Sequence, residues 1–84
     1  MSTKEKLLRR LLSMPSDFTF SETVTLLRSF GFTLENKGKT GGSRVIFINE
    51  NGVFIILHRP HTDNCLKRYQ IKQILDVLTS EELI

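Results

Sequence analysis

The chain has 84 residues, 25% of them charged and 39% hydrophobic, with a formal net charge of +3 and a single cysteine. That length supports one domain with a modest core, and the supply of Leu, Ile, Val and Phe excludes a disordered chain. No apolar run approaches the roughly 20 residues needed to span a bilayer, and Cys65 has no partner for an internal disulfide.

The N-terminal segment Met1 to Lys6 has no signal-peptide core, because Leu7 and Leu8 are followed at once by Arg9 and Arg10. The expected location is therefore the cytoplasm. Ser2-Thr3-Lys4-Glu5 reads as a capping box that opens a helix. Leu7, Leu8, Leu11 and Leu12 then form an apolar stripe at helical spacing, and Pro15 ends it by disfavouring helical geometry at Met14. Thr19-Phe20-Ser21-Glu22 is a second box. Val24, Leu27 and Phe30 follow on one face with Leu26 beside them, and Gly31 supplies the left-handed end. Residues 1–17 read as an accessory N-terminal helix on a core spanning 18–79, within a single domain of residues 1–84.

From Phe32 the period changes. Phe32 to Asn36 alternates as a half-buried strand does. Lys37-Gly38-Lys39-Thr40-Gly41-Gly42 is a positive turn; it lacks the residue order of a phosphate-binding loop and leads into a strand, not a helix. Ser43 to Asn49 is a second strand, with Val45 and Phe47 expected to face the helices and Arg44, Ile46 and Ile48 on the other side. Asn51-Gly52 is a two-residue hairpin signal. Val53 to His58 is a third strand, whose continuous apolar run predicts cover on both faces or a place at a partner interface. After the loop Arg59-Pro60-His61-Thr62-Asp63, Asp63 or Asn64 is expected to cap a last helix that packs through Ile71, Ile74 and Leu78, with Leu75 beside them. Thr79 to Ile84 is a short tail. The expected fold is α+β, in the order α-α-β-β-β-α, with a three-stranded antiparallel sheet and helices on one face.

Charge is unevenly spread. Residues 37–72 hold Lys37, Lys39, Arg44, Arg59, Lys67, Arg68 and Lys72 against only Glu50 and Asp63, while residues 73–84 carry only acids. A basic block of this kind suits a polyanion.

Several motifs in this order resemble the HicA family of toxin–antitoxin systems. They are Gly31-Phe32-Thr33-Leu34, a lysine-bearing segment ending in Gly41-Gly42-Ser43 ahead of a strand, and His61 leading into Leu66-Lys67, Ile71-Lys72 and Ile74-Leu75. The resemblance covers roughly Phe20 to Leu78. It implies a fold like the double-stranded-RNA-binding domain, action on mRNA as a metal-independent endoribonuclease, and neutralisation by a HicB-like antitoxin. The chain departs from the family at Gly42-Ser43-Arg44-Val45, where Arg44 and Val45 stand in place of the usual histidines, and at Cys65, where the family carries an acid.

Cleavage of RNA without a metal needs proton-transfer groups and positive charge on the phosphate. Histidine suits the first role because its ordinary pKa lies near working pH. Only His58 and His61 are available, with Arg59 and Lys67 near in sequence and Arg44 on the neighbouring strand. His61, which aligns with the family's loop histidine, is expected to matter more than His58. Lys37, Lys39, Arg44, Arg59, Lys67, Arg68 and Lys72 are the expected RNA-binding residues, and no metal or other cofactor is called for. The spacing of His58, His61, Asp63 and Cys65 fits no established zinc pattern. The competing functions are an RNA-binding module without catalysis and a protein-interaction domain.

Overall fold

The computed structural model describes residues 2–35, 44–58 and 64–84. Three helices and three strands follow one another as α1 (Thr3–Leu12), α2 (Phe20–Ser29), β1 (Thr33–Glu35), β2 (Arg44–Ile48), β3 (Phe54–His58) and α3 (Arg68–Ser80). From α2 onward this is the α-β-β-β-α order expected of a double-stranded-RNA-binding-like fold.

Both early helices start as the sequence predicts, though not equally well. At α2 the capping box is complete: Thr19 Oγ1 accepts the Glu22 N–H at 3.1 Å, and Glu22 Oε1 accepts the Thr19 N–H at 2.9 Å. At α1 Ser2 Oγ accepts from the Glu5 N–H, but Glu5 returns to the serine hydroxyl, so only half the box forms. The end of α2 closes with Gly31 at φ +91°, while the Gly31 and Phe32 N–H groups bond back to Arg28 and Leu27. Phe32 is thereby swung into the core, where it is fully buried.

The sheet is antiparallel with β2 in the centre. Val45, Phe47, Ile55 and Leu57 all point to the helices and are buried with Leu26, Leu27, Ile71, Ile74 and Leu78. The expected register of β2 and the expected packing face of the last helix are thus both observed. Phe20 meets Phe47 with ring centroids 6.2 Å apart, joining α2 to the middle of the sheet. Helix α1 lies against α2 and α3 and adds Leu7 and Leu11 to the same core. Arg10 fastens it further, bonding Glu22 Oε2 at 3.2 Å and the Asp17 carboxylate at 3.3 Å.

Among the described residues, the apolar run of β3 is covered on its helix side only: Ile56 is half-buried on the open face and Phe54 is 56% exposed, so the first of the two expectations for this strand, cover on both faces, is not met. The structure corrects the sequence reading at two further places. The turn between β2 and β3 is longer than a two-residue hairpin. Asn49 bonds Val53 across it, the Asn49 side chain accepts the Asn51 and Val53 N–H groups, and only Gly52 takes a positive φ. Asn64 does not cap α3, and Asp63 lies outside the described residues. Asn64 has φ +57°, its carbonyl accepts from Phe20, and Leu66 donates to the Phe18 carbonyl, so this segment pairs with residues 18–20 as a short extended ladder. The helix begins only at Arg68, with Lys67 at its cap position.

Candidate nucleic-acid interface

The alternation of β2 and β3 leaves the sheet face away from the helices uncovered by any described element. In the β2–β3 ladder Arg44 stands directly opposite His58, and Ile46 opposite Ile56. Directly opposed residues in an antiparallel pair project from the same face. Since Val45 and Leu57 are buried on the helix side, Arg44 and His58 project to the open side, where both are exposed. The histidine at the end of an apolar strand is therefore paired with the arginine that begins the central strand.

The start of α3 is held at the same end of the sheet by one buried glutamine. Gln70, only 4% exposed, donates through Nε2 to the His58 carbonyl at 2.9 Å. Its Oε1 accepts the Lys67 N–H at 2.8 Å. Gln73 Nε2 donates to the Ile56 carbonyl at 2.9 Å, one pleat further along β3. The end of β3 and the beginning of α3 are thus joined through the Gln70 amide.

Electrostatically this helix start is unusual. The first turn of α3 contains no acid, and Lys67 and Arg68 stand where an acid would complement the helix dipole. Arg68 and Lys72 lie one turn apart and are both exposed, so their charges share a solvent face. Arg44, His58, Lys67 and Arg68 consequently gather at one end of the molecule, with Lys72 one turn along the helix. Lys37, Lys39, Arg59 and His61 lie outside the described residues. Cys65 is half-buried and bridges to Thr19 in the short ladder. Among the described residues, no group of three His, Cys, Asp or Glu could hold a metal ion, and no helix is long and apolar enough to cross a membrane.

Sequence reasoning missed two residues here. Gln70 falls on the inward stripe with Ile74 and Leu78, and a polar residue at core spacing was the available signal. Glu35 ends β1 opposite Ile46, which puts it on the open face with Arg44 and His58. Its position in the alternation, flanking the inward Leu34, marked it as outward.

Among proteins already described, a family model for the HicA toxin of bacterial toxin–antitoxin systems matches residues 20–78, from the first residue of α2 to near the end of α3. No curated protein and no solved structure matches the chain. A match over most of the chain, on the elements that build the sheet and the basic end, shows that it belongs to the HicA toxin family.

Proposed function

We propose that this protein is the toxin of a type II toxin–antitoxin pair, binds mRNA through its basic end and cleaves it, and is silenced by a HicB-like antitoxin. The observation that carries this reading is the cross-strand pairing of Arg44 with His58 on an exposed face. A guanidinium holds a phosphate through two parallel hydrogen bonds, and an imidazole beside it can transfer a proton to or from the same group. Lys67, Arg68 and Lys72, together with Lys37, Lys39 and Arg59, would bind the flanking phosphates. His61 would be a second proton-transfer group. Action on mRNA would place the protein in the cytoplasm.

A second reading is supported by Arg44 and Val45 themselves. Arginine stays charged and valine carries no proton, so the chain could bind RNA without cutting it. The two readings part in one experiment: expression toxicity and cleavage of a transcribed mRNA by the purified chain, free of antitoxin, alongside His58→Ala and His61→Ala. Toxicity with cleavage that falls on loss of either histidine supports the toxin reading. Binding without cleavage supports the module. Neither binding nor cleavage removes RNA as the partner.

A further inference from the structure

We propose that Glu35, Arg44 and His58 form one ribonuclease site on the open face of the sheet, with Glu35 as general base and His58 as general acid; this rests on the RNA-cleaving reading above, with Glu35 taking the second proton-transfer role in place of His61. The register places the residues without further assumption. Glu35 is opposite Ile46, Ile46 is opposite Ile56, and Arg44 and His58 occupy the adjoining row. All five project from the face opposite Val45, Phe47, Ile55 and Leu57. Glu35 stands on β1, Arg44 on β2 and His58 on β3, so the arginine lies between the carboxylate and the imidazole.

That order fits the reaction. Attack of the 2′-oxygen and departure of the 5′-oxygen take place on opposite sides of phosphorus, so base and acid must flank the phosphate and the cation must sit between them. Opposed Cβ atoms such as those of Arg44 and His58 lie about 5 Å apart, and diagonal ones such as those of Glu35 and Arg44 about 7–8 Å. Strand spacing and rise put the Cα atoms of Glu35 and His58 about 12 Å apart, with Arg44 on the strand between them. Ile46 and Ile56, both half-buried, provide an apolar floor that strengthens the charge interactions above it.

In the step itself the Glu35 carboxylate takes the 2′-hydroxyl proton as the 2′-oxygen bonds to phosphorus. Arg44 holds the non-bridging oxygens. The bond from phosphorus to the 5′-oxygen breaks, and the His58 imidazolium gives its proton to that oxygen. The products are a 2′,3′-cyclic phosphate and a 5′-hydroxyl. Proton exchange with water restores both groups, and no metal or cofactor enters.

The test uses the full chain and a transcribed mRNA. Expected are cyclic-phosphate and 5′-hydroxyl ends, no cut where the 2′-hydroxyl at a mapped site is replaced by hydrogen, and a bell-shaped pH–rate profile. Glu35→Gln and His58→Asn should each lose on the order of 100-fold in rate while still binding RNA. Glu35→Gln should abolish the acidic limb of the profile and His58→Asn the alkaline limb, which a purely structural ion pair would not do. Glu35→Asp, which keeps the carboxylate, should retain the acidic limb at a lower rate and covers the case in which Glu35→Gln does not fold. Full activity or an unchanged profile in a folded Glu35→Gln or His58→Asn protein overturns this assignment and leaves the toxin reading standing, as do 5′-phosphate ends. Binding without cleavage by the unaltered chain overturns both in favour of the binding module, and no binding removes the RNA reading altogether.

Discussion

The side-chain amide of Gln70 donates to the main-chain carbonyl of His58 from inside the core, and with its oxygen it accepts the N–H of Lys67, the cap residue of the helix that follows. A core glutamine therefore sets where the β3 backbone ends relative to α3. Replacing it with methionine keeps the volume but leaves both main-chain groups unpaired. Gln70→Met should destabilise the fold by about 2 kcal/mol, seen as a lower urea midpoint with an unchanged slope. An unaltered midpoint would show that water satisfies both groups as well as the amide does.

Glu22 links the α2 cap to α1 and makes stability depend on pH. Burial works against its charge, yet hydrogen bonds from the Thr19 N–H, from Arg10 and from the Thr19 hydroxyl, with the attraction of Arg10, hold its carboxyl below the ordinary glutamate value. A group lowered in the folded state stabilises it above the unfolded pKa and loses that contribution as pH falls through the folded one. The melting temperature should therefore exceed that of Glu22→Gln near neutral pH, and the gap should close as pH falls to and below the ordinary glutamate value. A gap of constant size across that range would mean that the Glu22 charge is not what matters.

Gly31 and Gly52 both have φ between +80° and +95°, and a Cβ at either would meet no atom within 4 Å. The cost of alanine at these positions is then conformational strain, not collision. Each substitution should cost about 1–2 kcal/mol in denaturant unfolding. A neutral Gly52→Ala would indicate that the Asn49–Val53 loop relaxes to another turn.

Arg68 and Lys72 share an exposed helix face, so they can be reversed without repacking the core. Arg68→Glu with Lys72→Glu should weaken RNA binding across many sequences and flatten its salt dependence by about one unit of log–log slope per lost phosphate contact. Equal binding and equal slope before and after reversal would take this helix face out of the interface.

The periodic parts of the fold were legible in the sequence. Val45 and Phe47 alternate, Ile71, Ile74 and Leu78 recur at helical spacing, and Gly31 sits where a left-handed end is needed; each signal is local and each matches the structure. What was not legible depends on partners distant in the chain. Asn64 looks like a cap, but its carbonyl is taken by Phe20 and Leu66 is tied to Phe18, so α3 starts later than local chemistry suggests. The open-face group was half legible. The sequence singled out Arg44 and His58, but only the pairing register shows that they are opposite each other and that Glu35 shares their face.

The amides of Gln70 and Gln73 have a further consequence at the outer margin of the sheet. Strand β3 is an edge strand, and its outward carbonyls at Ile56 and His58 are the acceptors that an added strand from another molecule would use. Both acceptors are already taken by side chains of the chain's own helix. An incoming strand would have to displace them and strand at least the buried Gln70 donor, losing about 1 kcal/mol for each bond broken. The domain is in this way guarded against strand-by-strand self-association along β3 by two glutamines of its own last helix.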